Sequence, residues 1–119
     1  MCGVFYSSHA LDFDTVSGAL GIMRHRGPDN MEWKSISTQN INHIFGHTRL
    51  NIVDVDPQSN QPFQQNDMMM SYNGEIYNYK ALRRETSLNG ETFKTDGDTE
   101  VLFHLLRKKD YLKQIKKIC

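Results

Sequence analysis

The chain has 119 residues, 38% apolar and 24% charged, with three prolines, and its 14 basic and 14 acidic side chains cancel. Those figures leave room for one hydrophobic core and exclude a disordered or fibrous chain. No stretch reaches the roughly 20 apolar residues of a membrane span, and the first residues lack the layout of a signal peptide, so the expectation is a cytoplasmic protein with no membrane contact.

Cys2 to Tyr6 combines small, β-branched and aromatic residues and predicts a strand at the very start. Asp14 is read as a helix cap, with Val16, Ala19, Leu20 and Met23 at helical spacing until Gly27-Pro28 ends the pattern. Trp33 to Ile36, Ile44 to Phe45 and Leu50 to Val53 predict strands, with Ser37 to Asn42 as a polar spacer. Residues 56–67 read as a loop and Met68 to Tyr72 as a strand ending at Asn73-Gly74. Asn78 is placed as the cap of a helix from Tyr79 to about Leu88, closed by Asn89-Gly90. Thr92 to Lys94 predicts a brief strand, and a last helix opens at Asp98, its apolar side continued loosely by Leu112 and Ile115. Strands grouped together, with helices between the groups, predict an α+β fold with antiparallel sheet.

Cys2 has a property that interior cysteines lack. Once Met1 is removed, a free α-amine lies beside the thiol and can take its proton, so nucleophile and base share one residue; the competing reading is a buried filler at a strand start. In Tyr72 to Tyr79 (YNGEIYNY), the Asn73 amide and the Gly74 N–H are neighbouring neutral donors suited to a developing oxyanion, and Asn-Gly is equally a turn dipeptide. Arg49 can hold a carboxylate or simply end a strand, and Asp98 can receive an ammonium group or cap its helix. Residues 24–29 (RHRGPD) read as a phosphate-binding loop or a turn that ends a helix. Cys2 and Cys119 stand at opposite ends and the histidines are scattered, so neither a disulfide framework nor a metal site is expected.

In order, the segments Cys2-Gly3-Val4-Phe5, RHRGPD from Arg24, HTRLNIVD from His47, Gln61-Pro62, YNGEIYNY from Tyr72 and TDGDTEVL from Thr95 resemble the class II glutamine amidotransferases. The glutaminase domain of asparagine synthetase is the branch they resemble most. The resemblance implies an amino-terminal-nucleophile hydrolase fold, a four-layer αββα sandwich of antiparallel sheets, here partial. It implies L-glutamine as substrate, hydrolysed to supply ammonia through a thioester on Cys2. Asn73 and Gly74 would form the oxyanion hole. Arg49 would grip the α-carboxylate, Glu75 and Asp98 would surround the α-ammonium, and the backbone of Leu50, Asn51, Ile52 and Val53 would line the amide.

Likeness to the family covers residues 1–106 and fades over 107–119, where six basic residues face a single Asp110. The implied arrangement is a domain over residues 1–106, incomplete at its C-terminal end, followed by a basic tail. The domain needs no cofactor. ATP and magnesium belong to a synthetase domain or subunit, outside this chain, that would take the ammonia. A contrasting expectation is an inactive glutamine-binding fragment, or a subunit completed by a partner chain. Nucleic-acid binding is not expected, because the basic excess is confined to the tail.

Overall fold

The computed structural model describes residues 1–52 and 56–119, which fall into two compact units. The first comprises Met1–Ile52 and Asn60–Gly74; the second comprises Glu75–Cys119 with residues 56–59. Helices and antiparallel sheets together make an α+β protein.

The first unit is built on a sheet of β1 (Gly3–Ser7), β3 (Ile41–Arg49) and β2 (Asn30–Thr38), in that order and antiparallel throughout. Thr38 pairs with Ile41, so the spacer expected over Ser37 to Asn42 contracts to Gln39-Asn40, both at positive φ (48 and 66). That two-residue connection matches the twist of the strands it joins, and the ladder runs through polar residues because solvent-facing strand positions need not be apolar. Helix α1 (Phe13–Ile22) covers one face: Val16, Leu20 and Ile44 are almost wholly buried, with Phe5, Leu11, Met23 and Trp33 packed around them. Its cap is Asp12, not Asp14. Asp12 Oδ1 accepts the Thr15 N–H at 2.7 Å, which holds the carboxyl below its ordinary range, while Asp14 sits in the first turn.

The expected strand Leu50 to Val53 is absent at Leu50, Asn51 and Ile52, and Val53 lies outside the described residues. The reason is local: Leu50 and Asn51 give their N–H groups to the Cys2 sulfur and to Asp29, so neither can extend a ladder. Within 56–67, expected to be loop, lie a short 3-10 turn (Pro57–Ser59) and β4 (Phe63–Gln65). β4 pairs antiparallel with β5 (Met68–Met70) across Asn66-Asp67, and β5 stops before Tyr72.

The second unit carries α2 (Tyr79–Leu88), α3 (Asp98–Leu106) and α4 (Tyr111–Ile115). Asn78 precedes α2 without capping it. Its side chain instead accepts the Cys119 N–H and donates to the Lys117 carbonyl at 2.7 Å. At the far end Gly90, at φ 93, lets Glu91 N–H reach Thr86 O and Gly90 N–H reach Ser87 O, the paired closure that a left-handed residue permits. Thr92 to Lys94 form no strand, because the buried Glu100 carboxylate takes the Lys94 and Thr95 N–H groups. Leu112 and Ile115 do not extend the apolar side of α3. The chain turns after Leu106, α4 starts on a new phase, and the side chain it buries is Gln114. Among the described residues no helix is long and apolar enough to cross a membrane.

Candidate active site

The last residues of β3 organise the first unit. Alternate side chains of a strand point to opposite faces, so Thr48 faces one way and His47 and Arg49 the other. Thr48 Oγ1 accepts the Gly3 N–H at 3.0 Å and donates to the Met23 carbonyl. One residue past the strand, the Leu50 N–H donates to Cys2 Sγ at 3.4 Å, and Arg26 Nε donates to the Cys2 carbonyl at 3.2 Å. The thiol is therefore half-buried and fixed from both sides of its own backbone, beside a donor of the kind a thiolate accepts. Met1, the residue before it, is 77% exposed.

Residues 24–29 brace this arrangement. Arg24–Arg26 make a 3-10 turn after α1. A Cβ on Gly27 would come within 2.4 Å of the Thr48 carbonyl carbon and oxygen, so only glycine lets the turn lie on the backbone of β3. Asp29 then bonds twice to the following segment: its N–H to Arg49 O at 3.0 Å and its Oδ2 to Asn51 N–H at 2.7 Å. RHRGPD thus forms a turn after a helix.

Arg49 is 8% exposed, and its Nη1 donates to Asn60 Oδ1 at 2.6 Å. His47 Nε2 lies 3.2 Å from the Tyr72 carbonyl. Burial, assisted by the nearby Arg49 charge, pushes His47 down to about 4. It is neutral near pH 7, and the Nε2–H tautomer donates to Tyr72. Gln61 Oε1 accepts the Tyr72 N–H at 2.6 Å. Asn73 and Gly74 follow directly, both exposed, with the Tyr72 ring against Gly74.

In the second unit, Glu75 is exposed and the next N–H, that of Ile76, donates to Asp98 Oδ2 at 2.9 Å. Asp98 is the first residue of α3; the cap position belongs to Gly97, so the capping alternative does not hold.

Cys2, Arg49, Leu50 and Asn51 are thus joined by direct bonds or chain neighbours, and Asn73-Gly74 hang from β3 through Tyr72 and His47. Ile52 is 73% exposed and Val53 is not among the described residues. Among the described residues no three acidic, His or Cys side chains converge as metal ligands; His43 instead bonds Tyr6 and Thr38.

Residues 1–117 match the glutamine amidotransferase domain profile. The chain belongs to that family. Asparagine synthetase B of Escherichia coli K12 is 43% identical over 90 residues, covering 74% of this chain and 15% of that protein. Asparagine synthetase 1 of Bacillus subtilis 168, described as glutamine-hydrolysing, is 44% identical over 86 residues, 70% of this chain and 13% of the relative. A probable asparagine synthetase of Acanthamoeba polyphaga mimivirus is 31% identical over 116 residues, covering 93% of this chain and 20% of that protein. The chain therefore spans only a small part of the length of these relatives.

Sequence reasoning did not single out Arg26, Asp29, Asn60, Gln61 or His47 as individual site residues. Four of them lie inside the family segments RHRGPD, Gln61-Pro62 and HTRLNIVD, yet nothing in those strings says which backbone group each side chain meets. A buried polar residue beside a strand end was the available signal, since such groups must find partners.

Proposed function

We propose that this domain hydrolyses the side-chain amide of L-glutamine, as the amino-terminal part of an asparagine-synthetase-like amidotransferase. The observation that carries the reading is the half-buried Cys2 sulfur receiving the Leu50 N–H next to the buried cation of Arg49. A nucleophile is fixed one residue from a group that can hold the substrate's α-carboxylate.

In this reading Met1 is removed, and the freed α-amine of Cys2 takes the thiol proton. The thiolate adds to the amide carbonyl carbon, and the oxyanion is met by the Asn73 amide and the Gly74 N–H. Collapse breaks the C–N bond, the α-ammonium returns its proton to the leaving ammonia, and a thioester remains. Water then adds to the thioester, releasing glutamate and restoring the thiol. Arg49 binds the α-carboxylate, Glu75 and Asp98 the α-ammonium, and the backbone of residues 50–53 flanks the amide. The acceptor of the ammonia, with ATP and magnesium, belongs to a separate synthetase domain or subunit, and this domain needs no cofactor of its own. The four-layer sandwich belongs to the same reading; it is supported by α1 on one face of the sheet and by Val4, Tyr6 and Phe45 on the other.

The test is release of glutamate and ammonia from glutamine by the purified chain, with the first residue identified by mass spectrometry. Activity that is confined to chains beginning at Cys2 and lost in Cys2→Ala is the expected result. Turnover by chains that retain Met1 refutes the amine's role, and binding of glutamine without glutamate release refutes hydrolysis.

A further inference from the structure

Tyr72 is gripped at both of its backbone polar groups by side chains from elsewhere in the first unit. Its N–H goes to Gln61 Oε1 at 2.6 Å, and its carbonyl lies 3.2 Å from His47 Nε2. Both gripping residues are buried, Gln61 at 7% and His47 at 1% exposure, whereas Asn73 and Gly74, the very next residues, are exposed and lie in no helix or strand. β5 has ended at Met70, so no ladder fixes this stretch. A pair of oxyanion donors in an exposed, irregular segment needs an external clamp, because a displacement of about 1 Å costs on the order of 100-fold in rate.

We propose that Gln61 and His47 are positioning residues which, through the two backbone groups of Tyr72, hold Asn73 and Gly74 where the oxyanion forms. The inference rests on the glutaminase reading above. The chemistry of the grip is matched: Gln61 must accept, and His47 must carry a proton on Nε2 to donate. Neutral imidazole also suits the site electrostatically, because a second cation beside buried Arg49 is unfavourable. Neither side chain touches the substrate in this scheme. Both act on the transition state by fixing donors that the ground state does not need, so their loss falls on kcat more than on KM.

The experiment uses the full chain in a Cys119→Ser background, so that Cys2 is the only thiol. Gln61→Met and His47→Leu remove the acceptor and the donor, while Gln61→Glu and His47→Gln restore each. Glutamine hydrolysis is compared with alkylation of Cys2 by iodoacetamide, in which the S–C bond forms, iodide leaves and no oxyanion develops. The expected result is a kcat roughly 100-fold lower in Gln61→Met and His47→Leu, with KM and the alkylation rate within about twofold of the parent and most of kcat recovered in the restoring variants. Alkylation falling in parallel with kcat, a loss confined to KM, or restoring variants no better than the others overturns the clamp. A parent chain that alkylates at Cys2 but releases no glutamate overturns the glutaminase reading, and the clamp with it.

Discussion

Two buried polar centres, one in each unit, solve the same problem with opposite chemistry. Around Tyr72 the first unit uses neutral partners, the Gln61 amide and an uncharged His47. Around the loop before α3 the second unit uses a charge: Glu100, wholly buried, takes the Lys94 N–H, the Thr95 N–H at 2.7 Å and the Thr95 hydroxyl at 2.8 Å, with His104 Nε2 at 3.7 Å. In each case a buried side chain replaces a ladder that the backbone does not form, and the residues shaped are those carrying candidate chemistry: Asn73-Gly74 in one, Asp98 in the other. A neutral clamp gives a modest net gain per hydrogen bond. A buried carboxylate gives stronger bonds but costs far more when a partner is lost.

The largest expected effect therefore falls on the charged centre. Glu100→Leu leaves the Lys94 and Thr95 donors without their acceptor and should destabilise the protein by about 3 to 5 kcal/mol, measured by urea denaturation. Glu100→Gln keeps one oxygen acceptor and should cost less than half as much. Equal effects from the two variants would mean that packing, not charge-assisted bonding, holds the loop.

The neutral centre carries a pH signature instead. The folded state holds His47 at about 4 against an ordinary value of 6.5. The unfolded chain thus binds a proton that the folded chain refuses, so this group's contribution is present above about pH 6.5 and is progressively lost as the pH falls towards 4. The full swing is on the order of 3 kcal/mol. Denaturation of the parent and of His47→Gln across that window isolates the group, and the variant should lack that share of the acid destabilisation. Identical slopes would show that His47 titrates normally.

Gly27→Ala probes the brace under both Cys2 and Arg49. The added methyl meets Thr48 backbone atoms at 2.4 Å, which cannot yield as a flexible side-chain tip would. A loss of about 1 to 3 kcal/mol is expected from such overpacking, together with altered iodoacetamide reactivity at Cys2, because Arg26 and Asp29 flank the glycine. Unchanged reactivity would separate the fold's need for Gly27 from the site's.

Legibility in the sequence followed the range of the interactions. Helix α2 could be bounded at Tyr79 and Leu88 because its stop signal, Asn89-Gly90, acts within a single turn. The Asp12 cap was displaced to Asp14 because two acids lie two residues apart and only the bond to Thr15 distinguishes them. Cys2, Arg49, Asn73-Gly74 and Asp98 could be named as candidates because their side-chain chemistry is unusual in its setting. Their supports could not be named as such. Gln61 reaches Tyr72 over 11 residues, Asp29 reaches Asn51 over 22, and Arg26 reaches Cys2 over 24. No periodicity encodes a pairing of that range. The predicted strand over Leu50 to Val53 failed for the same reason, since β-propensity at Leu50 yields to a sulfur 48 residues away.

The smallest expected effects lie at the C-terminal end, where both kinds of contact occur side by side. Lys117 pairs with Glu85 and holds that carboxyl below its ordinary range, while the Lys117 carbonyl and the Cys119 N–H are taken by the neutral side chain of Asn78. Both charged groups are solvent-exposed, so Lys117→Met should lower the melting temperature slightly at low salt, with the difference gone in about 0.5 M sodium chloride. Asn78→Ala should cost more and keep its effect in salt, because two directed hydrogen bonds to backbone are not screened. If the ranking reverses, so that the salt-sensitive variant is the more damaging, then charge rather than the Asn78 clasp holds the last residues, and the pattern seen at Glu100 extends to the surface of the same unit.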